Sequence, residues 1–391
     1  MPYHAGVLRL GLVVIALTLA AARPARAQYP PITSRAYAID LYDGVAIGNT
    51  DMVGMGGAGA AVVLGTAGVL MNPSAIAVRP TTDHDRWSLD YHFSYLTGQY
   101  SSDYDNNGQV ASGGAQLITA GLGGRIGNWA AAFTTLLQQT PVTGSSLTTN
   151  ALRLRVVVST WIPQIDLAVG GGFQIARFQL DPSSGPALFS ISGSGLVAGA
   201  TWLPHGESYR LGGAIDDAID GGEVQPGQCD DPENCMTYIL PARVRSPARL
   251  VAGAAYRWAP TAWNQQVTTP FRDEPSLTLA ADLVVTGATA SGAGVEAFGM
   301  HELQPSGRHT VVSVRGGAAY ECLPGRLRLR AGSYWEPGRF DSVSGRAHAT
   351  FGIDLRVLAF QLFGERRGRI SLIGDVADRY RNVAVDIGFW H

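Results

Sequence analysis

The sequence has no lysine, and all 29 of its basic residues are arginine. A phosphate-binding P-loop, a Schiff-base enzyme and a serine–lysine dyad each require a lysine, so these three kinds of site are excluded. Charged residues make up only 15% of the chain, and the formal net charge is −2. A chain with this charge is not expected to bind nucleic acid.

Cysteine is also scarce, with three residues in the chain, too few for a disulfide scaffold. Cys229 and Cys235, in the stretch QCDDPENC, are close enough to form one disulfide in an oxidising compartment. Metal binding by this pair is the weaker alternative because no histidine stands nearby. We predict neither a metal site nor a cofactor, and Cys322 is left without a role.

Long apolar runs are missing after the N-terminus, so the sequence predicts no transmembrane helix. The N-terminus itself has the three parts of a secretory signal peptide: Arg9 without any acid, the apolar run Leu10–Ala22, and a small-residue cleavage site at Ala25 and Ala27. Residues 1–27 are therefore predicted to be removed. The mature chain is expected to begin at Gln28, outside the cytoplasm.

The stretch GMGGAG at Gly54–Gly59 satisfies the pattern G-x-G-x-x-G of dinucleotide-binding sites. That pattern is meaningful only after a buried strand, at the start of a helix, and with an acid about 20 residues further on. Here the preceding AIGNTD is typical of a turn, and no acid follows Val78–Pro80 until Asp83. Soluble NAD and ATP are scarce outside the cytoplasm, so these glycines are expected to serve another purpose.

Apolar and polar residues alternate from Trp87 onward. In ALRLRVVVS, Leu152 and Leu154 fall on one face, and Arg153 and Arg155 fall on the other. This period of two indicates β-strands. A soluble β-sandwich would alternate too, but these segments run about 10 residues or more, which exceeds the usual strand and suits a tilted bilayer crossing. We therefore predict an all-β fold, a transmembrane antiparallel β-barrel.

The polar faces of the strands carry arginines, which suits a water-filled lumen. The candidates for lumen side chains are Arg153, Arg155, Arg328, Arg330 and Arg356. The last strand, NVAVDIGFWH, resembles the C-terminal signal of outer-membrane barrels. We expect the outer membrane of a Gram-negative bacterium, with outer-membrane lipid and lipopolysaccharide as the partners of the outer surface.

Fifteen segments have the alternating pattern, but bacterial single-chain barrels have an even number of strands. Short periplasmic turns should alternate with long extracellular loops, and this alternation fails only if 294–302 is kept as a strand. GAGVEAFGM is also the weakest strand by propensity. About 14 strands remain: 87–100, 113–124, 128–139, 150–162, 165–178, 188–203, 208–217, 247–258, 275–287, 309–320, 326–335, 347–359, 368–377 and 381–390.

Before the first strand, Gly54, Gly56, Gly57 and Gly59 are followed by the small-residue run Ala60–Ala67 and then by Asn72, Pro73 and Ser74. This order resembles the FadL-type family of outer-membrane transporters for hydrophobic compounds, which has an alanine where Ser74 stands. Later stretches, LPARVRSPARLVAGAAYRW and LRLRAGSYWEPGRF, resemble the family more loosely. The resemblance spans nearly all of the mature chain and is specific only at 54–74.

The resemblance implies that residues 28–86 form an N-terminal hatch inside a barrel of residues 87–391. Glycine permits close backbone approach and positive φ, so GMGGAG would serve tight packing. The alternative is a flexible tail. The family implies passive, diffusive uptake of a hydrophobic small molecule, such as a long-chain fatty acid or an aromatic hydrocarbon. The oligomeric state stays open.

A kink in one strand would give the channel a lateral opening, and Gly170, Gly171 and Gly172 are the candidates for it. The alternative is a strand that the hatch lines closely. A second functional hypothesis is a plugged barrel that acts as a protein-interaction or secretion-shuttle component, with the acidic loop Asp216–Glu233 as its contact. The alternatives for this loop are calcium binding and, as the favoured one, a solvated loop without a partner. No Ser/His/Asp spacing stands out, so we expect that the protein is not an enzyme.

Overall fold

The computed structural model describes residues 29–62, 64–83, 85–98, 102–110, 114–227, 229–269, 271–361 and 365–389. The signal peptide predicted at 1–27 lies outside these residues. The strands are β1 (Ala38–Asp40), β2 (Trp87–Gly98), β3 (Gln116–Ile126), β4 (Trp129–Pro141), β5 (Thr148–Ile162), β6 (Leu167–Asp181), β7 (Phe189–Trp202), β8 (Tyr209–Asp216), β9 (Ile219–Asp220), β10 (Arg243–Ser246), β11 (Arg249–Trp258), β12 (Ser276–Thr286), β13 (Gly292–Ala293), β14 (Val311–Leu323), β15 (Leu327–Glu336), β16 (Arg346–Gln361), β17 (Glu365–Ala377) and β18 (Tyr380–Phe389).

Fourteen of these strands form one closed antiparallel barrel, in the order β2–β8, β11, β12 and β14–β18. The barrel closes where β18 pairs with β2, from Asn382 opposite Gly98 to Ile387 opposite Phe93. The predicted fold class and strand number are confirmed. The segment rejected as a strand, 294–302, contains a helix instead, Val295–Gly299.

The helices are short. They are α1 (Thr50–Val53), α2 (Gly65–Gly68) and α3 (Val295–Gly299), with 3₁₀ helices at Pro73–Ala77 and Pro163–Ile165. Among the described residues, no helix is long and apolar enough to cross a membrane.

The barrel is apolar outside and polar inside. In β12, Leu277, Leu279 and Leu283 are exposed on the outer face, whereas Thr278 and Asp282 are buried on the inner face. Large apolar side chains remain exposed in the same way on every barrel strand from β2 to β18. A soluble protein does not leave such a belt in water, so the outer surface is one that contacts lipid.

The connections differ between the two ends of the barrel. One end, the short-turn end, has tight connections such as 127–128, 163–166 and 324–326, with one longer loop at 259–275. The other end, the long-loop end, has the loops 99–115, 217–248 and 287–310. The alternation that decided the strand count is therefore present, although it is not perfect.

A second, smaller sheet caps the long-loop end. Its central strand, β1, pairs in parallel with β10 and with β13, and β10 pairs with β9. Beneath it, loop and strand residues form a separate apolar core that includes Ile39, Phe178, Phe189, Leu240 and Phe298. Residues 29–41 therefore belong to a folded cap built from the long loops.

Candidate functional site: the lumen and the segment within it

Residues 42–83, here called the lumen segment, connect the cap to the start of β2. Helix α1 contacts β16, β17 and β18, helix α2 contacts β2, β3 and β4, and the 3₁₀ helix Pro73–Ala77 contacts β3 through β7. Strands on opposite sides of the barrel contact one short segment, so this segment lies in the lumen. Gly54, Gly56, Gly57, Gly59, Asn72 and Pro73 are all buried there.

The glycines of GMGGAG pack against the barrel wall. Gly56 and Gly57 have φ of 66° and 77°, a conformation that L side chains rarely adopt. A Cβ atom on Gly56 would lie 2.6 Å from the carbonyl oxygen of Gly316 in β14. The Gly56 N–H donates to the Thr350 hydroxyl at 3.0 Å. The sequence therefore needs glycine here for close approach to the wall.

The wall contributes glycines of its own, which sequence reasoning missed. A Cβ atom on Gly317 would lie 2.4 Å from the carbonyl oxygen of Met55, and a Cβ atom on Gly212 would lie 2.2 Å from that of Ala60. Because Gly317 and Gly212 have no side chain, the lumen segment can lie directly on the backbone of these strands. Glycine in a strand is a sign of such close approach, but the sequence does not identify the partner.

Asn72 is the most extensively bonded anchor of the lumen segment. Its Nδ2 donates to the carbonyls of Ala60 and Ala200, at 3.0 and 2.9 Å, and lies 3.0 Å from the Thr201 hydroxyl. Its Oδ1 accepts from the backbone N–H of Ser74 at 3.1 Å. The side chain thus caps the 3₁₀ helix that begins at Pro73 and ties it to β7.

Asp282 of β12 makes a second anchor. Its Oδ2 accepts the backbone N–H groups of Gly59 and Ala60, at 2.8 and 2.9 Å. Two backbone donors on one carboxylate oxygen are charge-assisted bonds, stronger than neutral ones. The turn after GMGGAG is held to the wall by this carboxylate.

The sequence predicts a kink at Gly170, Gly171 and Gly172, and the structure has no bulge there. Strand β6 pairs with β5 and with β7 in unbroken register through all three residues. Instead, a Cβ atom on Gly170 would lie 2.6 Å from the carbonyl oxygen of Pro73. At Gly170 the structure agrees with the alternative interpretation, in which the segment in the lumen packs closely against this strand. Register shifts occur elsewhere, near Glu321 and near Arg356.

Four of the five predicted lumen arginines form ion pairs with acids. Arg153 pairs with Asp43, Arg155 with Asp216, Arg328 with Glu321, and Arg330 with both Asp354 and Asp51. The fifth, Arg356, is half-buried in β16 near the short-turn end. The pairs that involve Asp43 and Asp51 join the wall to the lumen segment.

Asp51 is the centre of the most connected of these networks. Its carboxylate contacts Arg330 of β15 and accepts two bonds from Arg369 of β17, at 2.6 and 2.8 Å. Arg330 also contacts Asp354, and Arg369 also contacts Asp386 at 3.0 Å. The carboxylate of Asp51 in α1 is therefore neutralised by arginines of two strands of the wall, β15 and β17.

Cavities lie on both sides of the lumen segment. One cavity of about 180 Å³ opens toward the short-turn end, and its lining includes Met55, Leu64, Arg210, Arg257, Trp263 and Arg328. A smaller one of about 80 Å³ lies toward the long-loop end, lined by residues that include Leu41, Val45, Leu70, Leu136 and Arg155. The lumen segment contributes to the lining of both, and it stands between them.

The cysteine pair lies in the cap. The structure joins Cys229 to Cys235, with their Cα atoms 5.5 Å apart. In the acidic loop Asp216–Glu233, Asp216 pairs with Arg155 and Arg249, and Asp220 pairs with Arg243 and Arg245. Part of the acidity predicted for this loop is therefore neutralised within the chain.

No protein-family model matches the chain, and no curated protein matches its sequence. Solved structures do match. The CymD monoaromatic hydrocarbon channel has 14% identity and a TM-score of 0.56, over 89% of this chain and 97% of that chain. The toluene transporter TbuX of Ralstonia pickettii has 14% identity and a TM-score of 0.52, over 89% and 99%. The toluene transporter TodX of P. putida has 14% identity and a TM-score of 0.51, over 92% and 100%. The resemblance found in the sequence is confirmed at the level of the fold: the chain has the fold of these hydrocarbon channels.

Proposed function

We propose that the protein is a channel of the outer membrane for passive uptake of small hydrophobic molecules. The observation that carries this proposal is the lumen segment, which stands between two cavities of a barrel whose fold is that of hydrocarbon channels. The apolar outer belt matches lipid, and the short-turn end would face the periplasm. The signal peptide expected at 1–27 would direct export.

In this proposal the lumen segment acts as a hatch. A solute that enters from the long-loop end reaches the smaller cavity first, and the hatch separates it from the larger one. The hatch consists of short helices and turns, held by a few anchors such as Asn72 and Asp282. Such a segment can shift without breaking the strand pairing of the barrel, which gives a gate without an energy source.

The first candidate substrate class is a monoaromatic hydrocarbon, because proteins with this fold are named as channels for such compounds. A long-chain fatty acid is the second candidate, and one observation favours it. Arg210, which lines the larger cavity, is buried, forms no ion pair among the described residues, and leaves its Nη1 without a hydrogen bond. A carboxylate would satisfy that group.

The test is uptake by cells that lack their own channels of this kind. Initial rates are measured for radiolabelled toluene and radiolabelled oleate, with the full-length protein and with an empty vector at matched growth. The proposal expects faster uptake of toluene, of oleate, or of both, and the ratio of the rates assigns the class. Rates equal to those of the empty vector for both compounds, with the protein folded in the outer membrane, would overturn it.

A matched pair of variants decides whether Arg210 recognises a carboxylate. Arg210→Met keeps most of the apolar stem and removes the charge. It should slow oleate uptake several-fold and leave toluene uptake unchanged if the fatty acid is a substrate. Arg177→Met, at an exposed arginine of β6, should change neither rate.

A further inference from the structure

The loop 259–275 holds Arg210 in place at the larger cavity. The Nε of Arg210 donates to Asn264 Oδ1 at 2.8 Å, and its guanidinium lies 4.0 Å from the centre of the Trp263 ring. Asn264 in turn donates to two backbone carbonyls, at 3.1 and 2.9 Å. An amide and an aromatic face therefore orient this arginine without neutralising it.

Positive charge exceeds negative charge around Arg210. Arg257 of the neighbouring strand β11 is its diagonal neighbour in the ladder. Arg272 adjoins the same group, because it donates to the backbone carbonyl of Trp263 at 2.9 Å. Arg257 and Arg272 share one carboxylate, that of Glu274, at 3.1 and 3.3 Å. Three arginines are thus accompanied by one acid.

The other carboxylates that line the cavity, among the described residues, are bonded to different groups. Glu321 pairs with an arginine of β15, and Asp51 pairs with arginines of β15 and β17. Asp90 accepts from the hydroxyl of Thr66 in the lumen segment at 2.9 Å. Arg210 is 1% exposed. A buried charge without a counter-ion is unfavourable, so the cavity favours a ligand that carries a negative charge.

Part of the cavity lining is apolar, and the cavity is small. Met55, Val62 and Trp263 belong to one apolar cluster, and all three line the cavity. Its volume of about 180 Å³ is close to the volume of about 150 Å³ in which an apolar cavity holds benzene. Sites for drug-sized ligands measure about 300–1,000 Å³. A ligand with a single ring therefore fits, whereas a long aliphatic chain would extend outside.

We propose that the larger cavity binds a carboxylate with one aromatic ring, a molecule of the benzoate class. The carboxylate binds at Arg210, whose planar guanidinium matches it. The flat ring packs against Met55 and Trp263. This inference rests on the proposed function and names its substrate more narrowly, because toluene carries no charge and oleate is longer than the cavity.

The experiment is a calorimetric titration of the full-length protein, in a non-ionic detergent, with sodium benzoate. The buffer contains no carboxylate or phosphate, so no other such anion competes. We expect one benzoate per chain with a Kd below about 1 mM. Cyclohexanecarboxylate, which has the same charge but a ring that is not flat, should bind about fivefold more weakly. Inorganic phosphate, which has charge but no apolar part, should not displace benzoate at equal concentration.

Two variants and a control assign the contacts. Arg210→Met keeps most of the apolar stem and should weaken benzoate binding by about tenfold or more. Trp263→Leu should weaken it several-fold and remove the preference for benzoate over cyclohexanecarboxylate, which loss of the charge alone would not do. Arg177→Met, at an exposed arginine of β6, should leave the Kd of both compounds unchanged.

Variants are compared only if they retain the gel shift on heating that folded barrels show, and if Arg210→Met does not fold, Trp263→Leu decides. The proposal is overturned if the folded wild type binds no benzoate up to about 10 mM. It is also overturned if folded Arg210→Met binds benzoate as tightly as the wild type, or if phosphate or cyclohexanecarboxylate binds as tightly as benzoate.

Binding and transport are separated by measuring both. Benzoate binding to the purified protein without uptake of any compound by cells would retain the site and overturn the transport proposal. Uptake of toluene or oleate without benzoate binding would retain the channel and overturn the site.

Discussion

Gly170 of β6 lies against the carbonyl group of Pro73, so closely that a Cβ atom on Gly170 would be 2.6 Å from the oxygen. The Ser159 hydroxyl of the neighbouring strand β5 donates to the same oxygen at 2.7 Å. The start of the 3₁₀ helix Pro73–Ala77 is therefore seated on two strands of the wall. Position 170 must therefore be glycine, because any side chain would collide with Pro73. The pairing of β6 with its neighbours stays regular on both sides of Gly170.

Replacing Gly170 by valine should unseat this helix. The added side chain would collide with backbone, which cannot move as the end of a side chain can, at a cost of about 1–3 kcal/mol. The barrel should still form, because the ladder of β6 is unaffected. We expect the gel shift on heating to persist while limited proteolysis cuts the lumen segment faster.

Gly171→Val is the matched control. Gly171 points to the outer face, where the nearest atom to an added Cβ would be the carbonyl oxygen of Val197 at 3.5 Å, an ordinary contact. This variant should keep the wild-type rate of proteolysis. If the two variants are cut equally fast, the close contact with Pro73 has no role in holding the segment.

The strands of the barrel could be predicted from the sequence because each strand has one face toward lipid and one face toward the lumen. An apolar residue faces lipid and its neighbour faces the lumen, so the period of two survives in the sequence without any tertiary information. The loop alternation then corrected the count. Val295–Gly299 belongs to the segment with the weakest strand propensity, and it lies in the cap as a helix.

The interior of the lumen could not be predicted in the same way. Asn72 bonds to Thr201, 129 positions further on, and no local pattern encodes that pairing. The contact between Asn107 and Glu296 was missed for the same reason, because the two residues are 189 positions apart. The sequence singles out the glycines Gly170–Gly172. It does not tell a β-bulge from close approach of another backbone, because both favour glycine in a strand.

The Asn72 anchor gives a second prediction. Asn72→Ala removes the donations to the Ala60 and Ala200 carbonyls and the acceptor of the Ser74 N–H, at a cost of about 0.5–1.5 kcal/mol for each lost bond. Hydrogen exchange measured by mass spectrometry should show faster exchange in peptides that cover 58–78. Asn150→Ala, at a wall asparagine that bonds to Asp181 and not to the lumen segment, is the control. Equal exchange in 58–78 for both variants would show that Asn72 is not an anchor.

The cysteines give a third prediction. Because Cys229 and Cys235 are joined in the cap, a thiol reagent applied to the unfolded protein without reductant should label Cys322 alone. After reduction all three should react, and mass spectrometry counts the labels. Reduction should also speed proteolysis of the loop 217–248, since a closed loop limits the unfolded conformations. Three labels without reductant would contradict the bond.

The ion pairs of Asp51 with Arg330 and Arg369, here called the Asp51 bridge, give the last prediction. It tests whether these pairs hold the lumen segment in its closed position. Asp51→Ala removes the carboxylate that α1 shares between Arg330 and Arg369, while Asp354 and Asp386 remain to neutralise the two arginines. The wall should therefore stay folded, and the lumen segment should lose a tether worth about 1–3 kcal/mol. In planar bilayers the variant should open more often and conduct more than the wild type. Asp341→Asn, which disrupts an exposed ion pair with Arg308, should conduct like the wild type. Equal conductance of Asp51→Ala and the wild type would mean that the bridge does not hold the gate, and the anchors at Asn72 and Asp282 would then be sufficient.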